Sequence, residues 1–265
     1  MSLWDNGPQQ CAQRCHSWQR FYLIGSPRID WDILKQEQKD KILKPFQKFS
    51  RVNRPVQAAE SYYSNLSRFY DWLASSEKRF IRLGLALLHP QPGERILEIG
   101  FGTGYAQQYI AQSVKNGLSA GLDLSLAMGR VAQRRLARAG LLDQVDLVQS
   151  DTLPIPFQEG IFDGIYTSFT LELFDSPLIP EVLGEIRRVL KPGGRLVVVS
   201  LSKDQQLGLI GRIYESFHNR FPKWADCRPI PVKFLVKDAG FIIRESQEFK
   251  MWGLPVGMVL ATGPV

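Results

Sequence analysis

The feature that most constrains this chain is the alternation of short apolar runs with amphipathic segments between Arg95 and Leu201. Arg95–Ile99, Ser119–Leu124, Val145–Ser150, Phe162–Phe169 and Arg195–Leu201 read as strands. Tyr105–Val114, Leu126–Ala139 and Pro177–Leu190 read as helices set among them. Strands and helices taking turns at this spacing make βαβ units and a parallel sheet. Ser125 and Ser176 stand where N-caps belong, because a side-chain oxygen there accepts from the helix's first free N–H groups. Within Pro177–Leu190, Ile179, Val182, Ile186 and Val189 face one way, and Lys191-Pro192-Gly193-Gly194 stops the helix. A short helix near Val232–Ala239 then precedes strands at Phe241–Phe249 and Pro255–Ala261. No helix fits between those two strands, so they pair as a hairpin and one runs antiparallel to the rest. Ahead of the alternation, Ser61–Leu88 reads as a helix with Leu66, Phe69, Leu73, Phe80, Leu83 and Leu87 on one face. The expected fold is α/β, a mostly parallel sheet with helices on both faces and an antiparallel C-terminal strand.

The sharpest local signal is Ile96-Leu97-Glu98-Ile99-Gly100-Phe101-Gly102-Thr103-Gly104, a glycine-rich turn at the end of the first strand. Dinucleotide cofactors want G-x-G-x-x-G, with their pyrophosphate on the helix N-terminus. Here the completing positions are Tyr105 and Gln107, and the spacing is G-x-G-x-G. Glu98, inside the strand end, would repel a pyrophosphate but suits a cationic amine. The ligand implied is a nucleoside bearing an amino acid, its ammonium near Glu98 and its carboxylate near backbone N–H groups. The second strand ends at Asp123, where a carboxylate can take both hydroxyls of a ribose. The third runs into Asp151-Thr152, placed to accept from an exocyclic amine.

These residues resemble the class I S-adenosylmethionine-dependent methyltransferases over roughly residues 61–265. The resemblance rests on Leu97–Gly104, Gly121-Leu122-Asp123-Leu124-Ser125, Ser150-Asp151-Thr152-Leu153-Pro154, Phe162-Asp163-Gly164-Ile165 and Glu185–Gly194. Within that superfamily the chain is most similar to the ubiquinone/menaquinone C-methyltransferase branch and its small-molecule relatives. The resemblance implies a Rossmann-like seven-stranded sheet and S-adenosylmethionine as cofactor. It places Glu98, Gly100, Gly102 and Gly104 at the methionine end, Asp123 on the ribose, Leu124 beside adenine, and Asp151 and Thr152 at its amine. Thr167 and Ser168 would border the sulfonium, and Tyr70-Asp71 resembles a pair that helps close the pocket.

Methyl transfer is an in-line displacement whose reactivity the cofactor carries, so the protein aligns, dries the site and removes a proton. Glu172 and His218 are the candidate bases; an exposed acid at a helix start and a structural histidine are the alternative readings of the two. The Asn/Asp-Pro-Pro-aromatic signature of amino-group methylases of adenine and glutamine is missing, as is a cysteine near the fourth or fifth strand for covalent attack on cytosine. A small-molecule acceptor remains. Leu209, Ile210, Ile213, Tyr214, Phe217, Phe221 and Trp224, in an insertion at 203–230, suit a hydrophobic or aromatic, quinone- or lipid-like one. Arg228 is placed to pair an acidic acceptor, or Asp226.

Charge bounds the partners. The 265 residues carry 33 Lys+Arg against 26 Asp+Glu, a net +7, which raises nucleic acid or an anionic membrane. Residues 91–200 hold 10 basic and 12 acidic groups, so the excess lies on the flanks. Seven Lys/Arg fall in 35–54, and Arg130, Arg134, Arg135 and Arg138 follow in the second helix of the alternation. The rival to an enzyme is therefore a protein of methyltransferase fold that binds RNA or another polyanion, or a membrane surface, without activity. An anionic membrane surface fits a lipophilic acceptor better than nucleic acid does. Residues 1–60 read as a basic, partly helical or disordered extension before a 61–265 domain. Cys11, Cys15, Cys227 and three His give no set of ligands at zinc spacing, so no metal is expected. Scarce cysteine and no apolar signal region point to the cytoplasm, with membrane-peripheral or organellar placement left open.

Overall fold

A computed structural model of the chain describes residues 67–150, 153–204 and 228–264, with side chains from residue 76 onward. The elements run α1 (Ser67–Leu88), β1 (Arg95–Ile99), α2 (Tyr105–Ser113), β2 (Leu118–Asp123), α3 (Leu126–Arg138), β3 (Val145–Gln149), β4 (Phe162–Ser168), α4 (Ile179–Val189), β5 (Leu190–Leu201), α5 (Val232–Asp238), β6 (Ile242–Met251) and β7 (Leu254–Thr262). The seven strands form one sheet in the order β3-β2-β1-β4-β5-β7-β6. Strands β1 to β5 pair in parallel, and β7 lies antiparallel between β5 and β6. Trp252 and Gly253 close the last hairpin at φ +52 and +83, the paired positive angles that match the twist of a two-residue connection.

Alternation along the strands splits the core into two layers, because successive side chains leave opposite faces. In β5, Leu196 and Val198 join the layer covered by Ile179, Val182 and Ile186 of α4 and Leu235 of α5. Val197 and Val199 face the other way, toward Phe80, Leu85 and Leu88 of α1 and Ile110 of α2. Ala132 and Leu136 close the outer end of the sheet from α3. Ser125 caps α3 as the sequence suggests, its hydroxyl accepting from Met128 N at 3.3 Å.

The structure departs from the sequence reading in three places. The inward stripe of α1 is Phe80, Gly84, Leu85 and Leu88; Leu83 and Leu87 are only half-buried. Burial of a glycine explains the shift, since a position without a side chain lets the helix approach β4 and β5. Ser176 is not the cap of α4. A short 3₁₀ turn over Ser176–Leu178 comes first, capped by Asp175, and the Ser176 hydroxyl serves Arg228 instead. Lys191–Gly194 ends the helix but belongs to β5, which begins at Leu190 and shifts register against β4 between Phe162 and Gly164.

Candidate cofactor and acceptor site

The strand order reverses between β1 and β4, and the crevice beyond their C-terminal ends is where ligands settle on open α/β sheets. Gly100, Gly102 and Gly104 turn the chain there with φ of +75, +50 and +74. Such angles strain any residue with a Cβ, and two of the glycines are also crowded. A Cβ on Gly100 would lie 2.1 Å from Thr170 Oγ1, and one on Gly104 2.8 Å from Ala132 Cβ of α3. Gly102 meets nothing within 4 Å, so its side of the turn is open. The turn is thereby wedged between the β4 exit loop and α3.

Asp123 ties the turn to β2. Its Oδ2 accepts from Gly102 N at 2.7 Å and its Oδ1 from Ser125 N at 2.8 Å. Burial raises the Asp123 carboxyl, while those two N–H groups pull it back down. Each oxygen keeps a lone pair for a further donor. Leu124, half-buried, follows it. Glu98 is 2% exposed, and its Oε2 has no partner. Burial lifts its carboxyl well above the ordinary range, and the Asp123 charge adds to this. A fully buried carboxylate with an orphaned oxygen, beside a half-buried one at the end of the neighbouring strand, calls for a cation. Thr167, fully buried at the end of β4, has an equally orphaned Oγ1; Ser168 beside it is half-buried. This set of orphaned acceptors and hydroxyl-ready carboxylates fits an amino-acid nucleoside such as S-adenosylmethionine.

A second polar group lies past the end of β4. Glu172 stands in the 3₁₀ turn Leu171–Leu173 and is fully buried, so it is no exposed helix-start acid. Its Oε1 accepts from Leu201 N at 3.1 Å, and its Oε2 is unpartnered. Burial pushes its carboxyl up to about 7, against hydrogen bonds from the backbone and Ser200 and the charge of Arg228. Arg228 is buried and donates to Phe174 O at 2.7 Å and to Ser176 Oγ at 2.9 Å, while Asp226 lies outside the described residues. Its Nε and Nη1 have no partner.

Sequence reading missed Glu77. Burial, and then the Glu172 charge, push its carboxyl up to about 8. The signal was there: Glu77, Phe80, Gly84 and Leu88 fall at steps of three, four and four, so an acid sits on the inward stripe of α1. Glu98, Gly100, Gly102, Gly104, Asp123, Leu124, Thr167 and Ser168 are brought to one end of the sheet. Tyr70 lies in α1, with its side chain outside the described residues, and Asp151, Thr152 and His218 also lie outside them. So do residues 1–60 and most of the insertion after β5.

Residues 96–194 match the family model described as a methyltransferase domain. The demethylmenaquinone methyltransferase of Symbiobacterium thermophilum is 34% identical over 131 residues, 49% of this chain and 51% of that protein. The ubiquinone/menaquinone biosynthesis C-methyltransferase UbiE of Ruegeria sp. is 34% identical over 46% of this chain and 48% of its own length. The chain thus spans about half the length of these two relatives. The demethylmenaquinone methyltransferase of Thermus thermophilus is 27% identical, over 74% of this chain and 98% of its own. Among solved structures, the [4+2]-cyclase SpnF (TM-score 0.58, 19% identity, 71% of this chain, 80% of that one) shares the fold. So does a SAM-dependent methyltransferase from Aquifex aeolicus (TM-score 0.52, 21% identity, 69% and 88%). By glycine turn, sheet order and relatives together, the chain is similar to the UbiE-like branch of the class I S-adenosylmethionine-dependent methyltransferases.

Proposed function

We propose that this protein methylates a ring carbon of a small, quinol-like acceptor, and that Glu172 takes the proton the ring gives up. The observation that carries the proposal is Glu172 itself, a fully buried carboxyl with one orphaned oxygen at the exit of β4. The names of the relatives support a quinone-like acceptor. Bound S-adenosylmethionine supplies an electrophilic methyl and a neutral thioether leaving group.

The chain's own residues do the rest. Glu98 holds the ammonium, Asp123 the ribose, and the positive-φ turn lets backbone N–H groups approach the ligand. Thr167 and Ser168 border the reacting centre; Asp151 and Thr152, outside the described residues, are assigned to the adenine amine by the resemblance alone. As the new C–CH₃ bond forms and the sulfur–carbon pair returns to sulfur, the ring carbon must lose its hydrogen as a proton. A base near pH 7 is matched to that task at neutral pH, and Glu172, at about 7, is so tuned. The charge of Arg228 favours its anion, and that anion in turn raises Glu77.

Titration calorimetry with S-adenosylhomocysteine, followed by methyl-label transfer to a short-chain water-soluble quinol, tests this reading. The intact protein should bind, and Asp123→Ala should abolish binding. Glu172→Gln should bind normally yet lose roughly 10²–10⁴-fold in transfer rate, the range typical of a lost general base. Normal transfer by Glu172→Gln would remove Glu172 from the chemistry, and absent cofactor binding would defeat the enzyme reading.

A further inference from the structure

Helices α2 and α3 carry four arginines, Arg130, Arg134, Arg135 and Arg138, and no acidic residue. Between them lies a cleft of about 530 Å³ lined by Gln108, Val131, Arg134, Arg135, Arg138 and Ala139. At its edge, Lys78 and Arg82 of α1 and Arg135 of α3 surround the Tyr105 ring, each 5.7–5.8 Å from its centre. Arg82 Nε donates to the Tyr105 hydroxyl at 2.5 Å, and Arg135 Nε to Thr103 O at 2.9 Å, inside the glycine turn. Among the described residues, none of these cations has a carboxylate partner. Tyr109 stands 45% exposed beside Gln108.

Cations gathered from two helices, without carboxylate partners among the described residues, cost self-repulsion that a phosphate-bearing surface would relieve. A solvated helix face ordinarily interleaves both signs; this one does not. Tyrosine next to such a cluster is the side chain that suits a membrane interface, apolar in its ring and wet at its hydroxyl. Helix α1 links this face to the chemistry. Glu77 feels the Glu172 charge on the acceptor side, while Lys78 and Arg82 reach Tyr105 on the basic side.

We propose that the outer face of α2 and α3, with the basic edge of α1, docks the protein on the headgroups of an anionic phospholipid bilayer. The proposal rests on the quinol-like reading, since a lipid-soluble acceptor has to be taken from a bilayer. Headgroup phosphates occupy the arginine cleft, and docking brings Lys78 and Arg82 of α1 against the lipid.

Flotation of the full chain with vesicles of phosphatidylcholine, with and without phosphatidylglycerol, tests it. The native protein should float only with the anionic vesicles and come off as salt is raised, because screening weakens contacts between exposed charges. Arg134→Ala/Arg138→Ala should bind those vesicles roughly thirtyfold more weakly. Its S-adenosylhomocysteine affinity and its transfer to the water-soluble quinol should stay native. The surface is overturned if the double variant floats as the native protein does, or if neutral vesicles capture both equally. It is equally overturned if inorganic phosphate displaces the protein where chloride of equal ionic strength does not, or if an RNA homopolymer binds more tightly than the vesicles. Docking as expected without quinol methylation upholds the surface and defeats the acceptor reading; methylation without docking does the reverse.

Discussion

Glu98 shows how much of this site turns on single atoms. Burial and the Asp123 charge raise its carboxyl well above the ordinary range, so the protonated form is favoured while the site holds no cation. Binding an ammonium favours the ionised form, so the proton must leave as the ligand enters. Calorimetry of S-adenosylhomocysteine binding at neutral pH, in two buffers of different ionisation enthalpy, should therefore reveal proton release. Glu98→Gln should abolish that release and weaken binding by about 10–100-fold, the worth of one charged hydrogen bond. Release that persists in the variant would assign the proton to another group. The acid and its place before the turn were legible from spacing. Its lack of a partner was not, because burial is set by neighbours distant in sequence, Tyr166 opposite it on β4 among them.

Among the elements, α1 packs across β4 and β5, and Gly84 sets how closely it approaches the sheet. A Cβ there would come within 2.6 Å of Val199 Cγ2 and 2.9 Å of Tyr166 Oη. The Tyr166 hydroxyl also donates to Ile81 O at 3.1 Å, pinning the same turn of helix to β4. On an exposed helix, Gly→Ala would stabilise by up to about 1 kcal/mol. Here overpacking wins, and Gly84→Ala should destabilise by about 1–3 kcal/mol, read as a lower denaturant midpoint with an unchanged slope. A raised midpoint would show that α1 has room to move. Helical periodicity placed α1 correctly but turned its face toward Leu83 and Leu87, because hydrophobicity alone cannot show that the tightest contact is made by a residue without a side chain.

For the whole molecule, the carboxyls fall into two groups with opposite pH behaviour. Glu98, Glu172 and Glu77 are raised, the latter two to about 7 and about 8. The folded chain holds their protons longer than the unfolded chain does. Their contribution is therefore full below the ordinary value of 4.5 and fades as pH climbs to about 8. Glu94, Asp163 and Glu185 are lowered by Arg195, Lys191 and Arg188, so their contribution is lost as pH falls through the carboxylate range. The melting temperature should peak at about pH 5 and decline toward about pH 8. Glu172→Gln should flatten that decline, since an amide has no proton to lose. An unchanged slope in the variant would place the titration elsewhere.

The sequence by itself determined what depends on local order. The alternating strands, the cap at Ser125, the terminal hairpin, the glycine turn and the acids at the strand ends were all readable because each is fixed by residues a few positions apart. Tertiary structure alone decided the insertion of β7 between β5 and β6, the burial of Arg228 against Phe174 and Ser176, and the influence of the Glu172 charge on Glu77. It also gathered Lys78 and Arg82 around Tyr105 beside the cleft lined by Arg134, Arg135 and Arg138. The reason is physical. A hydrogen bond in a turn is written in neighbouring residues. The field at a buried carboxyl, and the sign of a surface, are sums over groups that only the packed chain brings together.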